Sequence, residues 1–381
     1  MLQCAECKGK GLCGLPRCPI LSRFYATLGT KPVSSYAGIS PSLFIGSYGY
    51  PEFSGGPLLI DDTDHPPLWL SEGRSIDDIV GIRARTIRGK GSIRRYTDNL
   101  QEIALSDRPI EVDVAFERPV TFDLTFDGTI APVGLSGAVK QLEVTGNAHI
   151  DRIVDRVTSD TDMSATEACA ALSVSDIDVY HITRLFSAGL LGRKRTFVPT
   201  RWAITAVDDT VSTRLEKEIA GYPPLEEIRL FSGEIFGNRI VCILVPGDWK
   251  YEMIEIWNRH TLWGGDEDVI VQDREGMVKQ GYSPISGAYY SARLAACEYL
   301  SSVRRCARVI LIRIVSNEYW APLGTWVVRE AARRAMANPA RNCPSLDAAV
   351  KEAVSLLGSG RWVQYSTLIK ELKTQKTLYQ F

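Results

Sequence analysis

Two segments of the chain each carry a pair of carboxylates at what the pattern reads as a helix start. They are Ser159-Asp160-Thr161-Asp162 and Ala206-Val207-Asp208-Asp209-Thr210. Carboxylate oxygens suit hard cations such as magnesium or manganese. Asp160, Asp162, Asp208 and Asp209 are therefore candidates for a catalytic metal site, with Arg201 of Val198-Pro199-Thr200-Arg201-Trp202 placed to hold a phosphate. That is equipment for phosphodiester or nucleotide chemistry. The competing reading is local: aspartates at helix N-termini accept backbone amide hydrogen bonds and complement the helix dipole.

A further set lies in Ser286-Gly287-Ala288-Tyr289-Tyr290-Ser291-Ala292-Arg293. Small residues at a helix start leave amides open to a phosphate, and Tyr289, Tyr290 and Arg293 could flank a base or ribose. Arg313, in the apolar run Val309–Val315, adds another candidate cation. Against this stands close helix packing with the tyrosines in the core. Glu298, on the side of the helix that carries Leu294, is either paired internally or functional.

Cys4, Cys7, Cys13 and Cys18 follow the spacing C-x2-C-x5-C-x4-C, with Gly9, Gly11 and Gly14 between them. Four thiolates in so short a segment suit tetrahedral zinc, in a closed and structural site. Cys18-Pro19 echoes the end of an iron–sulfur run, so that cluster and metal-free thiols remain alternatives. Other motifs are silent. Ile45 to Pro57 is rich in glycine and proline but fits neither G-x-x-x-x-G-K-[ST] nor G-x-G-x-x-G. His65, His149, His181 and His260 are isolated, and His181 sits on an apolar stripe as a structural residue.

The elements that must position these groups read as α+β. Ile110 to Phe116 and Val120 to Phe126 read as two adjacent antiparallel strands. Pro41 to Pro67 has the density of proline and glycine that breaks helices and strands. Ser164-Ala165-Thr166-Glu167 is a capping box opening a helix over 165–172, and further helices are expected at 176–188 and 210–219. A hairpin is expected from Ile228–Ile235 and Arg239–Val245, then strands at Val269–Gln272 and Val309–Val315. Helices at 287–306, 324–337, 346–357 and 367–373 complete the pattern.

Composition bounds the function. Lysine and arginine total 44 against 45 acids, so whole-chain charge makes no case for wrapping nucleic acid, and any DNA contact is local or partner-directed. No secretory h-region or membrane-length apolar run is present, and the nine cysteines do not form a secreted framework. A cytosolic protein is expected.

The sequence ends Gln375-Lys376-Thr377-Leu378-Tyr379-Gln380-Phe381. This Q-x-x-L-x-x-F form resembles the PCNA-interacting peptide, in which the glutamine enters a polar pocket and the aliphatic and aromatic side chains share an apolar one. Leu378 and Phe381, three apart, face the same way on a helical turn.

Taken together, the cysteine head, Gly46-Ser47-Tyr48-Gly49-Tyr50-Pro51, the two acidic segments, Val198-Pro199-Thr200-Arg201-Trp202, Gly287-Ala288-Tyr289-Tyr290-Ser291-Ala292-Arg293-Leu294 and the terminal peptide resemble the archaeal Nre proteins across essentially the whole chain. The resemblance implies an archaeal cytosolic, nucleoid-associated protein that works with PCNA in the DNA damage response. It also implies an organisation: a head (1–20), an N-terminal Nre region (21–270), a helical C-terminal region (271–373) and the clamp peptide (374–381). It carries no catalytic mechanism. Two functions stay open: a metal-dependent nuclease or nucleotide-processing enzyme recruited by its tail, and a non-catalytic repair or signalling module that binds a nucleotide, DNA or a protein.

Overall fold

The computed structural model describes residues 33–49, 53–122, 134–261, 264, 266–276 and 279–374. The cysteine head and the terminal peptide lie outside these described residues. The chain divides into two compact units, one of residues 33–211 with Ala321–Gly324, the other of Ser212–Trp320 with the chain from Thr325 onward. Among the described residues no helix is long and apolar enough to cross a membrane.

The first unit is built on β1 (Ser35–Ser40), β2 (Ser42–Ile45), β3 (Ser54–Leu59), β4 (Ile87–Ser92), β5 (Ile110–Phe116), β6 (Thr121–Phe122) and β7 (Leu135–Val144). Their order is β1-β5-β7-β4-β3-β2, with β6 also on β7 and only β4 and β7 parallel. The β5 alternation is real: Ile110, Val112, Val114 and Phe116 are buried while Glu111 and Asp113 are exposed. The expectation of two adjacent strands needs correction, because β5 and β6 each pair with β7 and not with one another. Pro41 to Pro67 likewise holds β2 and β3 rather than only loop. A Cβ at Gly56 would stand 2.4 Å from the Gly89 carbonyl oxygen, so the glycine permits a close strand approach that an ordinary residue would block.

Helices α1 (Pro66–Ser71), α2 (Ile76–Arg85), α3 (Thr97–Leu105), α4 (Arg152–Ser159), α5 (Ala165–Val174) and α6 (Val179–Ser187) complete this unit. Ser164 and Glu167 form the capping box that opens α5. Gly189, at φ 68°, follows the end of α6. His181 donates from Nε2 to the Ala104 carbonyl at 3.0 Å, and burial pushes its pKa down to about 4. It is a neutral core hydrogen-bond donor, the structural role expected of it. The division between units falls within α7 (Thr200–Ile219). This helix starts ten residues before the expected 210, because Pro199 supplies its first acceptor carbonyl, for Trp202 and Ala203. The row Ala203, Val207, Val211, Leu215 and Ile219, all buried, is its apolar stripe.

In the second unit β8 (Ile228–Ile235), β9 (Asn238–Pro246), β10 (Lys250–Trp257), β11 (Val269–Glu275), β12 (Ala307–Val315) and β13 (Arg341–Cys343) form one sheet ordered β11-β10-β12-β9-β8-β13. In the β8–β9 hairpin β8 has the expected bounds and β9 is longer than expected by one residue at each end, while β10 and β12 are the parallel pair of the sheet. Helices α8 (Gly287–Val303) and α9 (Trp326–Ala337) pack together, and α9 lies against β8 and β9. A Cβ at Gly233 would lie 2.8 Å from the backbone of Ala335, which shows how closely α9 approaches the sheet. Helices α10 (Leu346–Leu357) and α11 (Thr367–Thr374), with Trp362 between them, close an apolar layer on Val241, Ile243, Ile254, Ile310 and Ile312.

That layer has a polar bolt. Glu252, fully buried on β10, accepts from Thr367 N and Oγ1 at 2.7 Å each, from Leu368 N at 3.2 Å and from Gln272 Nε2 at 2.7 Å, while Ser366 Oγ donates to its other oxygen. The carboxylate thus stands at the N-terminus of α11, where the helix dipole and free amides favour negative charge. Glu252→Ala removes the acceptor and strands these donors away from water, a loss of about 3 kcal/mol. Urea unfolding should show that loss, and Leu368 and Ile369 amides should exchange faster than in the parent chain. Unchanged protection at those amides would refute the anchoring role.

Candidate functional site

The acidic pairs occupy different settings. Asp160 ends α4, and its Oδ1 accepts from the amides of Asp162 at 2.9 Å and Met163 at 3.0 Å. Both aspartates are exposed. Their backbone carbonyls receive the guanidinium groups of Arg195 and Arg193, each at 2.7 Å. This is a turn held by local bonds, with Ser164 rather than an aspartate capping α5. Asp208 and Asp209 lie in the third turn of α7 instead of at a helix start. Asp208 is fully buried and Asp209 half-buried. Arg201 and Trp202, in the first turn of α7, are exposed. Among the described residues no three His, Cys, Asp or Glu side chains gather in a group that could hold a metal ion.

The tyrosine–arginine segment is in the core. Tyr289 and Tyr290 are buried, with ring centroids 5.4 Å apart and edge to face. Tyr289 also meets Tyr251, whose hydroxyl donates to the Tyr289 carbonyl at 3.3 Å. Arg293 is 1% exposed; its Nη1 reaches both Glu275 oxygens at 2.8 and 3.0 Å, and its Nε lies 3.1 Å from Ser212 Oγ and 3.1 Å from Glu216 Oε1. Burial pushes the Glu275 carboxyl above its ordinary range, against the pull of Arg293. The α8 start has no side-chain cap, and Ser286 holds φ 62°.

Arg313 is similarly engaged. Its Nε donates to Asn238 Oδ1 at 3.0 Å, its Nη1 pairs with Glu255, and its guanidinium carbon lies 5.0 Å from the Trp257 ring centroid. Glu255 also accepts from Trp257 Nε1 at 2.7 Å. Glu298 is paired as one of its two readings had it, receiving Arg333 Nε at 2.8 Å and Nη2 at 2.6 Å. In this geometry Arg293 and Arg313 are charge partners of buried acids.

A different part of the second unit offers polar groups to a ligand. β10 and β12 are parallel, and their carboxyl ends open on a cleft of about 1090 Å³ lined by Asn258, Arg259, Asn317, Gln364 and Tyr365. Ile270, Ile314 and Leu357 supply its apolar wall, and Asp266, Glu267 and Asp268 its acidic side. Asp268 accepts from the Arg259 amide at 2.9 Å and from Arg361 Nη1 at 2.8 Å. The crevice beyond the carboxyl ends of parallel strands is where open sheets bind ligands. Sequence reading passed over these residues because β10 was not recognised; once that strand is placed, Asn258 directly after it is the available signal.

If Arg293 is a structural charge, its removal is costly while joint removal of its closest partner is not. Arg293→Met is expected to lose about 3–5 kcal/mol, and Arg293→Met/Glu275→Leu to recover most of it. Chemical denaturation of the three proteins measures the cycle. A double variant as unstable as the single one would count against the assignment.

Comparison with known proteins places the chain. Residues 12–264 match the family profile Archaeal Nre, N-terminal, and residues 275–381 match Archaeal Nre, C-terminal. DNA repair protein NreA of Archaeoglobus fulgidus is 35% identical over 378 residues, covering 95% of each chain. NreB of the same organism is 35% identical over 395 residues, covering 100% of both. NreA of Haloferax volcanii is 31% identical over 349 residues, covering 85% of this chain and 83% of its own. No solved structure matches. With both family regions present in order along nearly its full length, the chain belongs to the archaeal Nre family.

Proposed function

We propose that this chain is a DNA repair protein brought to DNA by the PCNA sliding clamp, which it engages through Gln375, Leu378 and Phe381. The relatives are named DNA repair proteins, and that role extends to this chain through the family. The observation that carries the clamp reading is the Q-x-x-L-x-x-F ending, which begins one residue beyond α11. Glu252 fixes the start of that helix, so the peptide follows an anchored segment. A seven-residue peptide cannot sustain a helix alone and would take up its turn on the clamp.

The body works as a non-catalytic module that presents a ligand site. In support, Arg293 and Arg313 neutralise buried acids, and Tyr289 and Tyr290 are core residues. The cysteine head holds zinc through Cys4, Cys7, Cys13 and Cys18, by the preference of four thiolates for that ion. One observation favours the enzymatic reading: Asp208 is a fully buried acid on α7. In that reading Asp160, Asp162, Asp208 and Asp209 take magnesium or manganese.

Calorimetry with an archaeal PCNA tests the recruitment. Phe381→Ala and Leu378→Ala are each expected to weaken binding by roughly tenfold, as loss of an apolar anchor does. Binding that survives deletion of 375–381 would overturn the reading. Metal analysis should find one zinc per chain, lost in Cys4→Ser/Cys7→Ser; iron in its place would assign a cluster. Labelled single-stranded, duplex and flap DNA should remain uncut with magnesium or manganese, with or without PCNA. Cleavage abolished in a folded Asp160→Ala/Asp208→Ala variant would restore the enzyme reading.

A further inference from the structure

We propose that the cleft at the carboxyl ends of β10 and β12 binds a nucleobase, carried by a free nucleoside or by an unpaired position in a single strand. The first argument is hydrogen bonding. The side-chain amides of Asn258, Asn317 and Gln364 line the cleft, and among the described residues none has a hydrogen-bond partner. The guanidinium of Arg259 is in the same condition. Asn258 is half-buried and Arg259, Asn317 and Gln364 are exposed, so their donors and acceptors face solvent and are open to a ligand. Neutral amides and a guanidinium are the groups that read the donor and acceptor edges of bases, two bonds at a time.

The second argument is shape and polarity. Tyr365 is a large aromatic residue left 42% exposed, and it lines the cleft together with buried Ile314 and Leu357. A flat ring can stack on such a side chain, and base–aromatic stacking is the common means of holding unpaired bases. The volume of about 1090 Å³ is slightly above that of pockets that enclose small ligands, roughly 300–1,000 Å³, and leaves room for a base with its sugar.

The third argument is charge, and it selects the base over the phosphate. Asp266, Glu267 and Asp268 face the cleft beside Arg259 and Arg361, and Asp268 already engages Arg361. The acids leave no net positive field to concentrate a polyphosphate or a duplex backbone. A neutral ring with polar edges meets no such penalty. This inference is independent of clamp docking.

The test uses the full chain. Calorimetric titrations are made with the four deoxynucleosides, with twelve-residue single strands of one base type, and with an abasic strand of equal length. Base-bearing probes are expected to bind and the abasic strand to bind at least tenfold more weakly. Binding of nucleosides alone identifies the free molecule as sufficient; binding of strands only, with the same base requirement, identifies an unpaired base within nucleic acid. Tyr365→Ala is expected to weaken binding by about tenfold or more, and Gln364→Ala to weaken it less. Both positions are exposed, and an unchanged melting temperature checks the fold. PCNA affinity should be the same in both variants, which separates a failure here from a failure of clamp docking. The proposal is overturned if no base-bearing probe binds, if the abasic strand binds equally well, if both variants bind as the parent does, or if a lysine-rich peptide takes the cleft in preference to nucleosides.

Discussion

Strand β10 places two buried carboxylates in the second strand of a sheet, and the arrangement of the second unit follows from where their partners lie. Glu252 and Glu255 are three residues apart, so a strand turns them to opposite faces. Glu252 collects Ser366, Thr367 and Leu368, and with them the start of α11. Glu255 collects Arg313 from the neighbouring parallel strand β12, and Arg313 in turn holds Asn238 at the start of β9. Neither carboxylate can be left alone in an apolar layer, since an unpaired buried charge costs several kcal/mol. Apolar packing alone would tolerate several placements of α11 over Ile254 and Ile310. The hydrogen bonds to Glu252 single out one. Such buried charges contribute register more than net stability, since equally packed apolar groups often do as well energetically.

The same constraint explains what could be read from the sequence. The β8–β9 hairpin, α10, α11 and β5 were legible because their signals are local: an apolar run broken at Phe236-Gly237-Asn238, a 3.6-residue stripe, or alternation of apolar and acidic residues. β10 was not, because Glu252 and Glu255 interrupt Tyr251, Met253, Ile254 and Ile256 and make the run look amphipathic without a period. Their partners are 114 and 58 residues away in sequence, at Ser366 and Arg313. A short-range pattern cannot register compensation at that distance. β3 was hidden differently: Gly55-Gly56-Pro57 reads as a turn, and only the approach of Gly89 shows that the missing side chains make room for a neighbouring strand.

The candidate sites divide along the same line. Residue types that suit catalysis, an arginine among tyrosines and paired aspartates near helices, also suit the interior of a large α+β unit, where charges must be matched in pairs. Arg293 with Glu275 and Glu216, and Arg313 with Glu255 and Asn238, follow that second logic. In the cleft, the amides of Asn258, Asn317 and Gln364 and the guanidinium of Arg259 have no such partners among the described residues. Type alone therefore does not tell a structural charge from a ligand group, while the bonding state of each polar atom does. Composition carries no trace of bonding state.

One stretch of chain joins the two proposed functions. Arg361, Gln364 and Tyr365 wall the cleft, Ser366 and Thr367 bond to Glu252, and α11 runs on to Thr374, after which the clamp peptide begins. While Glu252 holds, a ligand at Tyr365 and a clamp at Phe381 act on opposite sides of a fixed point. Coupling between them then requires a second state in which Ser366 and Thr367 leave the carboxylate, and such coupling is reciprocal. Each ligand can bias that state only by its difference in affinity for the two arrangements. A buried carboxylate with hydroxyl, amide and side-chain donors makes the released state costly. On these two proposals, the hold of Glu252 on Ser366 and Thr367 argues for independent binding at the cleft and at the terminal peptide over an allosteric relay.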